Sequence, residues 1–412
     1  PTPPRPTTMR MVSMLACIAV CCCGLPTPSV KYLSAAFAPR PASAVLSDLS
    51  ELAGEDCAAA DVYGAGEWLQ AFETEVAAAL RKPCGRFMLT GVCAQMAALA
   101  VYADLPARRS AVEPRQSFVC HATSHLLLWE LDSARELLGL VPLIAGTDRP
   151  MTAADVEHVL RRQSSVGIRP SAIIVEVPQR ELGCEPTAWS DLLALRALAT
   201  KYSVPLHCDG ARLFEACPYY GKTPAEVAAL FDSVYLSFYK GFGAMTGAML
   251  IGPEDFIRKA SMWQRRLGGN PYTLHPFALS CRAAFRTHAG SFEERWAKAK
   301  AIAAAVLGAA KATGCEDAVF LQPAEPACPQ VMCFLRGDVA ALELARDTLQ
   351  ERTGERLFGG VRPVPPHLRK RLEAEGRVVA DWNYFEMTVG PQHLGMDDLV
   401  FQKAWEAFFS AL

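Results

Sequence analysis

Seven short apolar runs, most of them separated by helix-like stretches, limit the folds open to this chain. They are GRFMLT from Gly85, SFVCH from Ser117, VPLIAG from Val141, AIIVEV from Ala172, VPLHCD from Val204, DSVYLSF from Asp232 and GAMLIG from Gly247. Intervening stretches such as WSDLLALRALATKY carry apolar residues at three- and four-residue spacing, the period of an amphipathic helix. Runs too short for helices, bounded by turn residues and alternating with helices, predict a mostly parallel seven-stranded sheet sandwiched by helices, an α/β fold. Ligands of such sheets bind beyond the carboxyl ends of the strands. The residues that close each run are therefore the first candidates for function.

The chain has 412 residues, 51% of them hydrophobic, enough for a large core and two domains. Residues 45–284 form the expected large domain. From about Phe285 a long amphipathic stretch, SFEERWAKAKAIAAAVLGAAKATG, reads as a helix leaving it. Residues 285–412 mix strand-like pieces (QVMCFL, YFEMTVG) with helices and predict a smaller α+β domain.

Residues 1–44 read as a targeting segment. Met9 and Arg10 precede an apolar run from Val12 to Leu25, and Ser34-Ala35-Ala36 offers a small-residue cleavage site. The run is short for a membrane span, and Pro26 and Pro28 break it, so no membrane association is expected of the mature form. The junction SAAFAP is similar to the signal-plus-transit boundary of proteins sent to complex plastids, which makes a plastid the expected location, with the secretory pathway or cytoplasm as alternatives.

Charge is nearly balanced, 41 basic against 43 acidic side chains, and interspersed, which disfavours a nucleic-acid partner and favours a small molecule. Of 15 cysteines, Cys17, Cys21, Cys22 and Cys23 fall in the leader and the rest are scattered without metal-ligand spacing. That pattern predicts neither a disulfide framework nor a metal site.

SFYKGFGAMTG, Ser237 to Gly247, is the densest chemical signal. It fits neither nucleotide motif: Thr246 stands where a dinucleotide fingerprint needs its third glycine, and Lys240 precedes the glycines instead of following them as in a P-loop. A lysine just past a strand, with glycines that let a ligand approach, suits a Schiff base with an aldehyde cofactor; a solvated loop lysine is the alternative. HCDGAR supplies a second element. Asp209 ends a strand 31 positions before Lys240, as a carboxylate should if it keeps a pyridine nitrogen protonated. Arg212, three residues on, suits a carboxylate. TGVC, at the start of an Ala-rich helix, offers backbone N–H groups for a phosphate, and His125 in HATSHLLLWE is a flat partner for a ring or a structural histidine.

Together, DVYG, TGVCAQ, SHLLLWE, VEVPQRELG, HCDGAR and SFYKGFGAMTGAMLIG resemble, in this order, the threonine aldolase and β-eliminating lyase family of fold type I pyridoxal-phosphate enzymes. The resemblance runs from about Asp61 to Pro276. It implies pyridoxal 5′-phosphate as cofactor, Lys240 as the Schiff-base lysine, Asp209 as the partner of the ring nitrogen and His125 as the stacking ring. Gly91 and Val92 are then phosphate ligands through their amides, Ser237 a further cofactor contact, and Arg212 a contact of the cofactor or the substrate carboxylate. Tyr63 approaches the site, in the same subunit or a neighbouring one, because the family builds its sites at dimer interfaces; a homodimer or homotetramer follows. The implied reaction is aldol cleavage of a β-hydroxy amino acid to glycine and an aldehyde, with β-elimination, or cofactor binding without aldolase activity, as alternatives.

Four departures bear on substrate binding. The family's opening Arg-Ser-Asp motif has only an echo at Ser47 and Asp48, and Val92 replaces a phosphate-loop threonine. His158 lies near the position of another family histidine, and Glu386 falls where an arginine that binds the substrate carboxylate is expected. Glu176 matches a family carboxylate of unassigned role.

Overall fold

The computed structural model describes residues 30–56, 61–104 and 116–412. Lys31–Tyr32 form β1. The large domain holds β2 (Cys84–Met88), β3 (Ser117–Cys120), β4 (Val141–Ile144), β5 (Ile173–Glu176), β6 (Leu206–Asp209), β7 (Ser233–Ser237) and β8 (Ala248–Gly252). These are the seven runs expected from the sequence, in one sheet of order β2-β8-β7-β6-β5-β3-β4. β8 pairs antiparallel with both neighbours, and the other pairings are parallel.

Both faces are covered, so central strands are buried end to end; all residues of β5, β6 and β7 are buried. On one face the helices Glu67–Ala79 and Trp189–Lys201 pack Phe72, Val76, Leu192 and Leu195 against Val175, Cys208 and Leu236. On the other, the helix Gly91–Tyr102 is apolar all round and is sandwiched between the sheet and the helix Glu254–Arg266.

The small domain contains β9 (Val319–Gln322), β10 (Gln330–Arg336), β11 (Glu355–Arg356), β12 (Arg362–Pro363) and β13 (Trp382–Thr388). β12, β13, β10 and β9 form an antiparallel sheet in that order, and β11 pairs in parallel with β1. The long helix expected after Phe285 is Phe292–Ala312. Its buried stripe, Ile302, Ala303, Val306 and Ala310, faces the helix Asp398–Phe409.

The expected leader runs through residue 44. Its apolar run, Val12–Leu25, lies outside the described residues, but residues 30–44 are folded. Leu33 is buried in the small-domain core, Thr388 N donates to Ser34 O (2.8 Å) and His393 Nε2 meets Tyr32 O (2.9 Å). The small residues at Ser34-Ala35-Ala36 have a packing reason, since Gly390 sits directly against the Ala36 carbonyl. Phe37 reaches the large domain and lies over Gly243 in the Lys240 loop.

Candidate active site

The site assembles at the carboxyl ends of β5, β6 and β7. Register alone sets Glu176 beside Asp209 and Asp209 beside Tyr235. Lys240 follows β7 in a tight loop closed by Gly243 N to Lys240 O (3.1 Å) and Ala244 N to Phe238 O (2.9 Å). Glycine is required at 241: a Cβ there would lie 2.5 Å from Glu215 Oε1, so the lysine loop rests directly on the Arg212–Glu215 pair.

Asp209 is buried. Its Oδ2 accepts from Gln95 Nε2 at 2.6 Å and its Oδ1 from Ala211 N at 3.3 Å. His125 opens a short helix, His125–Leu128, with Nδ1 3.0 Å from Glu130 Oε1 and its backbone N donating to Glu176 Oε2 at 3.3 Å. Burial opposes the charging of His125, but the bond to Glu130 and the charge of Asp209 prevail and raise its pKa. Because Nδ1 faces a carboxylate, Nδ1 carries the proton and Nε2 is the basic nitrogen. Glu176 is pushed up to about 7, by burial first and the neighbouring Asp209 second, against the Arg180 N–H that donates to its Oε1 at 3.0 Å. Lys240 is within electrostatic reach of both His125 and Glu176.

A phosphate cradle lies at the start of the helix Gly91–Tyr102. Thr90 caps it, accepting from Cys93 N at 3.1 Å. Among the described residues the Gly91 and Val92 N–H groups donate to no protein acceptor. A Cβ on Gly91 would lie 2.1 Å from Tyr235 Oη, so only glycine lets this helix start against β7. Ser237 shares the face of Tyr235, and its Oγ is buried without a hydrogen-bond partner. Orphaned donors at a helix N-terminus make a ready anion site.

Arg212 gives Nη1 to both oxygens of Glu215, at 2.8 and 2.9 Å, and its Nε is buried and unpartnered. Its charge is therefore largely committed inside the protein. Glu386 does not stand as a bare negative charge: it pairs with Arg180 Nη2 at 2.8 Å. Arg180 also bonds Glu181 Oε1 at 2.8 Å and lies over the Trp129 ring. Three expectations do not reach the site within this chain. Tyr63, 44% exposed, packs edge-on against Tyr272 and under Arg265; Ser47 and Asp48 lie on the helix Ala42–Asp56, Asp48 paired with Arg40; His158 is exposed on the helix Ala153–Ser165.

The profile of the beta-eliminating lyase family matches residues 40–320. The chain belongs to this family. Its sequence is 30% identical over 206 residues to an aldolase of Penicillium aethiopicum, covering 49% of this chain and 50% of that protein. It is 26% identical over 215 residues to a low-specificity L-threonine aldolase of Escherichia coli O157:H7, covering 51% and 60%. The aligned parts span about half the length of the curated relatives it matches. The structure of a candidate L-allo-threonine aldolase from Listeria monocytogenes superposes with a TM-score of 0.78 at 29% identity, covering 93% of this chain and 97% of that one. The fold is that of fold type I pyridoxal-phosphate enzymes.

The residues at this site fit pyridoxal 5′-phosphate, the cofactor that the sequence resemblance implies. The unpartnered Ser237 hydroxyl and the Gly91 and Val92 amides match a phosphate, Asp209 a protonated ring nitrogen and Lys240 an aldehyde. Several participants escaped sequence reasoning. Gln95, Arg180, Glu130 and His207 were visible only as letters of TGVCAQ, VEVPQRELG, SHLLLWE and HCDGAR.

Proposed function

We propose that this chain cleaves the Cα–Cβ bond of a β-hydroxy amino acid to yield glycine and an aldehyde. The reading is carried by one convergence: Asp209 and Lys240, at the ends of the adjacent parallel strands β6 and β7, lie within electrostatic reach of His125, which follows β3, next to an unsatisfied anion cradle. Bound pyridoxal phosphate supplies the electron sink for the pair released when the bond breaks. Lys240 Nζ would hold the cofactor aldehyde, and Asp209 would face the ring nitrogen and favour its protonated form. His125 Nε2 takes the β-hydroxyl proton as the aldehyde leaves, and Glu130 steadies the imidazolium through Nδ1. Lys240 then returns a proton to Cα. Arg180, shared between Glu181 and Glu386 and within electrostatic reach of Arg212, is the cation assigned to the substrate carboxylate.

The exposed Val62, Tyr63, Tyr239, Met245 and Tyr272 support assembly as a homodimer, with Tyr63 serving the partner's site. A leader within the first residues, directing the protein to a plastid, belongs to the same reading and is tested by the location of a fluorescent fusion. Purified protein incubated with L-threonine, L-allo-threonine and L-cysteine is assayed for glycine and for keto acid. Glycine with an aldehyde from either hydroxy amino acid supports the assignment; keto acid alone would move it to β-elimination. Lys240→Ala is expected to lose both the visible absorption of the bound cofactor and more than about a thousandfold of the activity.

A further inference from the structure

Behind Asp209 a line of hydrogen bonds crosses the sheet. Tyr102 Oη and Ser233 Oγ are 2.5 Å apart, Ser233 Oγ and His207 Nδ1 2.6 Å, His207 Nε2 and Gln95 Oε1 2.8 Å, and Gln95 Nε2 and Asp209 Oδ2 2.6 Å. Gln95, His207, Asp209 and Ser233 are each at most 3% exposed, so water does not substitute for any link. Chemistry dictates the direction. A carboxylate only accepts, so Gln95 presents its NH2 to Asp209 and its carbonyl oxygen to His207. That oxygen requires a proton on Nε2, a neutral ring then accepts at Nδ1 from the Ser233 hydroxyl, and Ser233 accepts in turn from the Tyr102 phenol. Burial pushes the His207 pKa down to about 3, which keeps the ring neutral, and burial raises that of Tyr102, which keeps the phenol protonated. Every donor therefore points toward Asp209.

We infer that Tyr102, Ser233, His207 and Gln95 are positioning residues that hold Asp209 in one rotamer, leaving its remaining lone pairs free for the ring nitrogen of the cofactor. Successive donors polarise one another, so the last bond, to the carboxylate, is stronger than Gln95 alone would make it. The Gln95 amide cannot rotate, because its flipped form would set oxygen against oxygen at Asp209 and N–H against N–H at His207. The chain ends beside the Arg196–Asp232 ion pair at the amino edge of the sheet, where Tyr102, Arg196 and Asp232 line a surface depression. It thus ties Asp209 to the opposite edge of the domain from the one where the cofactor binds.

The inference rests on the cofactor reading above, and its test separates the two. Apoprotein is titrated with pyridoxal phosphate labelled with 15N in the ring, reading affinity from absorbance and protonation from the ring-nitrogen NMR shift. Asp209→Ala sets the value for a nitrogen without its partner. Gln95→Leu and His207→Phe are expected to move the shift toward that value and to weaken cofactor binding about tenfold, as for loss of a hydrogen bond to a buried charge. Tyr102→Phe, which removes one oxygen at the far end and keeps the fold, should shift it in the same direction by less. The double variant Gln95→Leu/Tyr102→Phe should lose less than the sum of the two singles. Wild-type shifts in both Gln95→Leu and Tyr102→Phe, or additive losses, would overturn the chain. Failure of the wild-type protein to take up cofactor would overturn the cofactor reading instead.

Discussion

Arg180 of the large domain and Glu386 of β13 meet at 2.8 Å across the junction of the two domains. Glu386 stands where a carboxylate-binding arginine is expected, and the pairing makes it a competitor for the Arg180 cation. In Glu386→Gln, Arg180 keeps Glu181 but is freer to meet substrate. The expected outcome is a KM for the amino acid lowered roughly threefold with kcat little changed, the scale of a partly solvated ion pair. An unchanged KM in steady-state assays would show that Arg180 does not bind the substrate carboxylate.

The phosphate cradle depends on the absence of a side chain at position 91. In Gly91→Ala the new Cβ meets the Tyr235 ring, which is buried and has nowhere to go. The helix start must shift, carrying the Gly91 and Val92 amides with it. Overpacking of this kind costs about 1–3 kcal/mol, so cofactor affinity should fall roughly tenfold or more by absorbance titration. Helix content by circular dichroism should hardly change.

Glu73 predicts a pH dependence of stability that is separate from catalysis. Burial lifts its pKa to about 7, against the attraction of Arg86 and the Phe87 N–H that donates to it at 2.8 Å. Since the folded pKa lies above the unfolded one, the folded protein holds the extra proton between about pH 4.5 and 7. Its contribution is complete below that window and is lost as pH rises through 7. Glu73→Gln keeps an acceptor for Phe87 N but cannot titrate. The unfolding free energy from urea titration should grow in favour of the variant over wild type from pH 5 to 8, by an amount on the order of 3 kcal/mol.

Residues 30–36 belong to the folded protein, and their removal should be felt. Leu33→Ala is expected to cost roughly 2–4 kcal/mol, the usual range for a buried leucine. A chain starting at Phe37 also loses the pairing of β1 with β11 and the Tyr32 carbonyl that faces His393. It should unfold at lower urea than a chain starting at residue 30. Equal midpoints would mean that this segment contributes nothing to stability.

What the sequence determined by itself was set by short-range rules. A strand buried on both faces must be apolar along its length, so the central strands of the large sheet stood out, and the edge strands followed from their short apolar runs between turn residues. The residue that closes such a strand must sit at the sheet's edge, which placed Asp209 at the site and Lys240 just beyond β7. Only the tertiary structure decided what lies behind them. Gln95 reaches Asp209 across 114 positions and His207 across 112, and nothing local to a buried histidine or glutamine reveals its partner. In the same way the pairing of Arg180 with Glu386 depends on how two separately patterned domains dock. Residues 34–36 show the limit most directly, because their contacts, Thr388 N to Ser34 O and the Ala36 carbonyl against Gly390, come from the far end of the chain, where no local pattern points to them.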